Sequence, residues 1–259
     1  MEGSQHGKCR IMSPDFEVKK EIPDKSFLGW ASCTTAPLGV LAFWVGMLMA
    51  SRRYPEGYDW RYTTVSHLLT PGRNPAGHLW ATGGIMLCGL CGLCWAVILA
   101  RRWPHESAED QPSGIKTLEF GNVFMMCSAV LPEWLLRVHK GHEIFAVLAF
   151  AALCFGMVRL MFQTIERIFL RRMRGTTGRA RLYAAIVAST AVLPILLAGL
   201  TQAYVYYMLP ELHGANLPAA YLSFPFWEWV MCVVLSAYLV ILSLATHVVY
   251  TTRKAGEGR

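Results

Sequence analysis

The residues best suited to chemistry gather in one polar, aromatic-rich segment, Tyr58 to His78, which separates two apolar stretches. It carries two arginines, Arg61 and Arg73, and a serine next to a histidine, Ser66 and His67. A guanidinium group binds a carboxylate or a phosphate through two parallel hydrogen bonds. These arginines therefore predict either a bound anion or internal ion pairs that hold the segment in place. The carboxylates open to such pairing are Asp59, Glu133 and Glu228.

A second reactive group lies in the sequence RVHKGHE, which contains His139, His142 and Glu143. Zinc needs three or four nitrogen, sulfur or carboxylate donors that converge on one point. The residues that would complete such a set are His67, His78 and His213. No HExxH motif occurs, and Glu143 also suits the positive N-terminus of a helix that begins after Gly141. No cofactor is therefore predicted, and zinc is the alternative for this group.

General acid–base catalysis is the other chemistry that these residue types allow. A histidine next to a carboxylate, or a metal held by them, activates water or a lipid hydroxyl group. The candidates for that role are His67, His142, Glu143 and Glu228. Ser66 and His67 are a poorer nucleophile and base, because adjacent residues do not by themselves orient a serine–histidine hydrogen bond.

The elements that position these groups are apolar helices. The chain of 259 residues is 54% hydrophobic and 16% charged, and its apolar residues come in runs of roughly 20, the length that crosses a hydrocarbon core. Six such runs are expected at 28–50, 78–100, 118–136, 143–166, 182–209 and 227–250. They lack the period-two alternation of a membrane barrel, so helices are predicted.

The predicted fold is all-α, a polytopic membrane protein with a six-transmembrane-helix bundle and an interfacial first outer loop. A hydrophilic cytoplasmic tail (1–27) precedes the helical domain (28–250), and a short cytoplasmic tail (251–259) follows it. Residues 63–69, TTVSHLL, are expected to form one or two helical turns. Their apolar side chains Val65, Leu68 and Leu69 would dip toward lipid, while Ser66 and His67 would face the mouth of the bundle.

Orientation follows from lysine and arginine, which are more frequent in cytoplasmic loops. Most of them lie in the first tail, after the second and fourth spans, and in the last tail. Both termini are therefore predicted to be cytoplasmic, with Arg52 and Arg53 as a local exception. The first, third and fifth connections then share the outer face. Nucleic acid is excluded as a partner because the basic residues flank apolar runs instead of forming a continuous stripe.

The eight cysteines fall outside the predicted outer loops, so no disulfide framework is expected. Cys88, Cys91 and Cys94 follow one another at steps of three, which is a spacing that metal sites also use. They stand among glycines, however, and Gly84, Cys88, Cys91 and Gly92 predict a small-residue stripe on one helix face. Small residues let helix backbones approach closely in lipid.

Several short motifs resemble those of a six-helix membrane superfamily that includes the damage-regulated autophagy modulators, GPI-anchor lipid-remodelling factors and related bacterial families. The motifs are TVSHLL followed by RNPAG, then LEFGN, HEIFAVLAF and FWEW. In that superfamily a loop-one serine and a histidine or asparagine at the start of span four recur, which correspond to Ser66 and to His142 with Glu143. His67 departs from the pattern. The resemblance implies the architecture and a role that faces lipid.

The expected function is the binding or handling of a lipid headgroup or another anionic amphiphile in an outward-facing polar pocket, with membrane lipids as the partners. The predicted ligand-binding residues are Asp59, Arg61, Ser66, His67, Arg73, His139, His142 and Glu143. The alternative is an intramembrane lipid hydrolase or acyltransferase on the same face. A transporter is disfavoured because no inverted repeat is apparent and no carboxylate lies at the middle of a span.

Overall fold

The computed structural model describes residues 25–102, 113–130, 141–172, 177–209 and 219–257. Within these ranges the chain is helical and contains no strand. The helices are α1 (Lys25–Ser51), α2 (Val65–Leu69), α3 (His78–Arg102), α4 (Ser113–Val130), α5 (Gly141–Arg172), α6 (Thr177–Met208) and α7 (Phe224–Glu257). A single 3-10 turn, Ala220–Leu222, precedes α7.

Five of these helices are long and apolar enough to cross a membrane: α1, α3, α5, α6 and α7. The prediction of an all-helical, multi-pass membrane protein is confirmed at that level. In its described residues α4 is less apolar, because it carries Lys116, Glu119 and Asn122. The rest of the predicted third span, up to Leu136, lies outside the described residues.

Several helices extend beyond the apolar stretches that predicted them. α1 already begins at Lys25, within the predicted tail. α7 continues to Glu257, although the span was expected to end at Tyr250. No proline interrupts the sequence TTRKAGE, and a helix that leaves the bilayer keeps its backbone hydrogen bonds within the segment.

Six long helices run antiparallel through the bundle. His247 in α7 bonds through Nδ1 to the carbonyl of Gly29 in α1 (3.0 Å), so the start of α1 and the end of α7 share one end of the bundle. We call this the far end. Loop one (residues 52–77) lies at the opposite end of the bundle, which we call the loop-one end. α4 begins next to α5 residue Gly156 and ends where His142 bonds to Ser128 at 2.6 Å.

Small residues bring α1 and α3 into backbone contact. A Cβ added to Gly46 would lie 2.7 Å from the Cα of Gly84, and one added to Gly39 would lie 2.8 Å from the Cβ of Cys91. Gly84 and Cys91 thus serve the close approach that the sequence predicted. Gly92 faces α4 instead, where an added Cβ would clash with the Asn122 amide.

The short helix α2 closes the loop-one end of the bundle. Val65 and Leu68 are buried in a core cluster together with Phe43, Met47 and Trp229. The prediction that Val65, Leu68 and Leu69 face lipid is therefore wrong: the first two are buried and Leu69 packs partly buried against the same cluster. Leu68 is completely enclosed, because its side chain fills an apolar gap between the helix ends at this end of the bundle.

Asn74 fastens loop one to the helices on either side. Its side chain is fully buried, and its Nδ2 donates to the carbonyls of Ala50 (3.2 Å) and Leu68 (3.3 Å). Gly77 packs directly on it: a Cβ there would lie 2.5 Å from the Asn74 amide and 2.7 Å from the Ala50 carbonyl. The sequence RNPAG thus joins the end of α1, the end of α2 and the start of α3.

Candidate functional site

Loop one docks on the first turns of α7 through both polar and aromatic contacts. Glu228 Oε2 accepts a hydrogen bond from the backbone N–H of Val65 at 2.9 Å, which satisfies an amide at the start of α2. Ser223 Oγ donates to the carbonyl of Arg61. The rings of Trp60 and Phe226 stack with centroids 5.8 Å apart. The FWEW sequence is therefore the docking surface of the loop.

Tyr58 and Trp229 form the centre of this junction. The indole N–H of Trp229 donates to the Tyr58 hydroxyl at 2.8 Å, and that hydroxyl donates to the carbonyl of Thr63 at 2.8 Å. Burial raises the pKa of the Tyr58 phenol far above its usual value, against a smaller lowering by the Trp229 N–H. Tyr58 thus stays neutral at physiological pH and works as a structural link.

Behind this junction lies a small cavity of about 70 Å³. It brings together three polar residues from distant parts of the chain: Ser66 of α2, His142 of α5 and Glu228 of α7. The walls are otherwise mostly apolar and include Phe43, Val65, Leu69, Ile85, Met125, Ser128, Ala146, Ala149, Phe150, Leu153 and Cys232. Three of the predicted site residues therefore border one small cavity.

Hydrogen bonds orient the polar groups of the cavity. His142 Nδ1 lies 2.6 Å from the carbonyl oxygen of Ser128, which can only accept, so Nδ1 carries the proton. In the neutral ring, Nε2 is then left with a free lone pair. Ser66 Oγ lies 2.6 Å from Thr64 Oγ1 and shares a proton with it. The arrangement presents acceptor atoms to the cavity.

A much larger groove of about 740 Å³ opens between α1 and α7. Its walls are apolar and rich in aromatic rings, and its residues are Trp44, Met47, Leu48, Ser51, Arg52, Tyr58, Trp60, Phe226, Trp229, Val230, Val233 and Val234. Arg52 is the one charged group among them. Its guanidinium is exposed and makes no hydrogen bond or ion pair with any residue in the described ranges. Its neighbour Arg53, by contrast, donates to the Met49 carbonyl and lies over the Trp80 ring.

Arg61 and Arg73, the arginines that the sequence singled out, make their contacts inside loop one. Arg61 forms a two-point pair with Asp59, with Nε to Oδ1 at 2.9 Å and Nη2 to Oδ2 at 2.8 Å. Both side chains are about half exposed, so the pair contributes little stability. The hydrogen bonds from Arg61 hold the pKa of Asp59 below its usual value.

His67 faces Arg73 instead of the cavity. Arg73 Nη1 lies 3.3 Å from His67 Nδ1 and also contacts Nε2. Partial burial and then the Arg73 charge lower the pKa of His67 below 6.5. The imidazole is therefore neutral at physiological pH. The ligand-binding and catalytic roles assigned to these residues stay predictions.

The remaining histidines divide into two groups. His78 Nδ1 lies 3.2 Å from the carbonyls of both Asn74 and Pro75, which indicates a structural contact. His139 and His213 lie outside the described residues, as does the side chain of Glu143. Throughout the described ranges, no three His, Cys, Asp or Glu side chains are grouped closely enough to hold a metal ion. The zinc alternative stays a prediction.

Sequence reasoning did not identify Arg52, Trp44 or Ser128 as site residues. The sequence did mark Arg52 as unusual, because it is a basic residue in a loop predicted to be non-cytoplasmic. Ser128 gave none, since it contributes a backbone carbonyl, which every residue carries.

The chain matches no protein-family model, no curated protein and no solved structure. The superfamily resemblance therefore stays a prediction.

Proposed function

We propose that this protein binds an anionic lipid, with an acyl chain in the groove between α1 and α7 and the headgroup at Arg52. The observation that carries this proposal is an exposed guanidinium, unpaired within the described residues, at an apolar groove of about 740 Å³. Guanidinium is the preferred two-point partner of phosphate. The headgroup contact thus belongs to Arg52 and not to Arg61 or Arg73.

The groove would distinguish one lipid from another mainly through its aromatic walls and the polar groups at its end. Lipid tails are as apolar as the groove walls, so a chain that moves from bilayer to groove gains no hydrophobic free energy. Discrimination between lipids must then come from packing against the aromatic walls and from the polar groups at the end. Trp60 and Tyr58 suit that position, because aromatic rings with a polar edge favour the interface.

The proposal takes the bundle to cross the membrane six times, with both termini in the cytoplasm. Support comes from the antiparallel course of six long helices and from the contact between His247 and Gly29. The charge bias supports the same orientation. Arg52 then lies at the non-cytoplasmic leaflet, where a basic residue is uncommon and a bound anion supplies a reason for it.

The test compares Arg52→Ala with Arg53→Ala, because Arg53 is a neighbouring exposed arginine whose guanidinium lies over the Trp80 ring. Native mass spectrometry of the purified proteins would measure co-purified anionic phospholipid. We expect Arg52→Ala to lose most of the bound anionic lipid and Arg53→Ala to keep it. Equal occupancy in both variants would overturn the headgroup assignment.

A second pair of variants tests the groove itself. Val233→Trp fills the groove, whereas Ile241→Trp places the same ring elsewhere on α7, at a residue of similar exposure (53% and 55%). We expect only Val233→Trp to reduce occupancy by the lipid. If both variants retain it, the acyl chain lies elsewhere.

The second candidate function is an intramembrane lipid hydrolase or acyltransferase. The observation that favours it is His142, whose Nδ1 is anchored to Ser128 and whose Nε2 is free to act as a base in a cavity shared with Ser66 and Glu228. Release of a labelled acyl group in nanodiscs would test it. Activity lost in His142→Gln but kept in His78→Gln supports catalysis; no turnover by the wild-type protein with any ester lipid class rejects it.

A further inference from the structure

Glu228 is unusual because it borders the small cavity and has no cationic partner among the residues that the structure describes. Its Oε2 is held by the Val65 N–H. No hydrogen bond from the described residues reaches the second oxygen, Oε1, and no ion pair involves Glu228 in those ranges. A carboxylate enclosed in apolar surroundings is expensive unless a cation or several donors compensate it. Two things can offset that cost: a proton on the carboxyl group, or a bound group that supplies positive charge and N–H donors.

The other polar groups of the cavity also offer acceptors. His142 presents the Nε2 lone pair, because its Nδ1 proton is committed to Ser128. Ser66 Oγ has a free lone pair once its proton, or that of Thr64, is shared between them. Three residues that carry these acceptors, from three elements and one of them acidic, line the same cavity of about 70 Å³.

We propose that this cavity binds a primary ammonium group. Such a group carries three N–H donors and one positive charge, which match Glu228 Oε1, His142 Nε2 and Ser66 Oγ. The cavity of about 70 Å³ is about half the size of a roughly 150 Å³ cavity that holds a benzene ring, so its size suits an ammonium and the carbon next to it. A quaternary trimethylammonium is bulkier and has no N–H donor, so the cavity discriminates against it.

This site is separate from the groove. Glu228 and Cys232 face the cavity, whereas Val230, Val233 and Val234 face the groove, and helical periodicity places these two sets on different sides of α7. The ammonium could belong to a lipid headgroup or to a free amine. Both present the same group, and the experiment separates them.

The experiment uses the full chain in detergent with four probes. Dihexanoyl phosphatidylethanolamine and dihexanoyl phosphatidylcholine test a lipid source by native mass spectrometry, and ethanolamine and choline test a free source by thermal shift. We expect the ethanolamine compound of at least one pair to bind at least tenfold more tightly than its choline counterpart. If this preference appears only with the two phospholipids, the cavity is a headgroup site. If free ethanolamine also binds in preference to choline, the cavity is a site for a free amine.

Substitutions of residues that line the cavity test whether the amine binds there. Glu228→Gln keeps an acceptor for the Val65 N–H but loses the charge, so amine affinity is expected to fall at least tenfold, whereas Glu56→Gln, which removes an exposed loop-one carboxylate, leaves it unchanged. Ala146→Leu reduces the cavity volume while keeping the Glu228 carboxylate, and it should also abolish binding. Equal binding of ethanolamine and choline compounds, retention in both cavity variants, or no amine binding by the wild type overturns the proposal. The absence of amine binding by the wild type would mean that Glu228 carries a proton beside ordered water.

Groove variants such as Arg52→Ala should leave amine binding intact.

Discussion

At the scale of single residues, Gly77 shows how tightly loop one is seated. A side chain at this position would meet the Asn74 amide at 2.5 Å and the Ala50 carbonyl at 2.7 Å. We expect Gly77→Ala to lower the thermal midpoint by about 2 °C or more, because overpacking costs about 1–3 kcal/mol. Gly72→Ala is the matched control, since open space surrounds Gly72 in the same loop. Similar midpoints for the two variants in a detergent unfolding experiment would contradict this account of the RNPAG sequence.

His67 provides a prediction of pH dependence. Partial burial and the nearby Arg73 lower its pKa below 6.5, so the folded state binds this proton less readily than the unfolded state. The stability contribution is therefore complete above about pH 6.5 and declines as the pH falls below that value. Arg73→Ala should raise the pKa of His67, as measured by NMR of labelled histidine, while Arg53→Ala leaves it unchanged. An unaltered pKa in Arg73→Ala would show that burial alone causes the shift.

Single residues also show what sequence can reveal of a site. Ser66, His142 and Glu228 were identifiable because polar groups beside apolar runs need a partner or a function. Arg61 and Arg73 stood out equally, yet they make their contacts within loop one. Which arginine stays unpaired depends on where each side chain lands after the chain folds. The charge bias marked Arg52 and Arg53 alike, and only the folded structure distinguishes the unpaired Arg52 from Arg53, which lies over Trp80.

At the scale of helices, the packing of α1 on α3 depends on Gly84. An added Cβ would lie 2.9 Å from the Cα of Gly46 and 3.0 Å from the Ala42 carbonyl, whereas at Gly83 nothing lies within 4 Å. We expect Gly84→Ala to push the two helices apart and to lower the thermal midpoint. Gly83→Ala should be neutral or slightly stabilising, because alanine favours the helix. Equal effects of these adjacent substitutions would mean that the close approach does not stabilise the bundle.

Helix positions were predictable because their cause is local, whereas the side of α2 that is buried was not. Apolar runs long enough to span a bilayer mark α1, α3, α5, α6 and α7 in the sequence. The turns of α2 were also expected near residues 63–69. Its apolar side chains, however, could equally face lipid or core. The unfilled end of the bundle decides between these environments, and that gap forms only when α1, α3 and α7 come together.

At the scale of the whole molecule, the number of membrane crossings depends on α4. Its described residues lack a long apolar stretch like those of the other five long helices. It contributes Asn122, which donates within the helix to the Leu118 carbonyl at 2.8 Å and packs on Gly92 of α3. A polar residue that faces a neighbouring helix is shielded from lipid. α4 also packs closely on α5, where an added Cβ at Gly121 would lie 2.9 Å from the backbone nitrogen of Leu153. A helix enclosed in this way can cross the bilayer with lower hydropathy.

The sides of the membrane on which the two termini lie show whether the number of crossings is even or odd. Six crossings place both termini on one side of the membrane, whereas five place them on opposite sides. We expect a protease added to sealed, uniformly oriented vesicles to reach epitope tags at both termini or at neither. A membrane-impermeant maleimide should label Glu56→Cys, in the exposed part of loop one, from the opposite side, with the wild-type protein as the control for the native cysteines. If only one tag is cleaved, α4 does not cross, and the orientation that places Arg52 at the non-cytoplasmic leaflet must be abandoned.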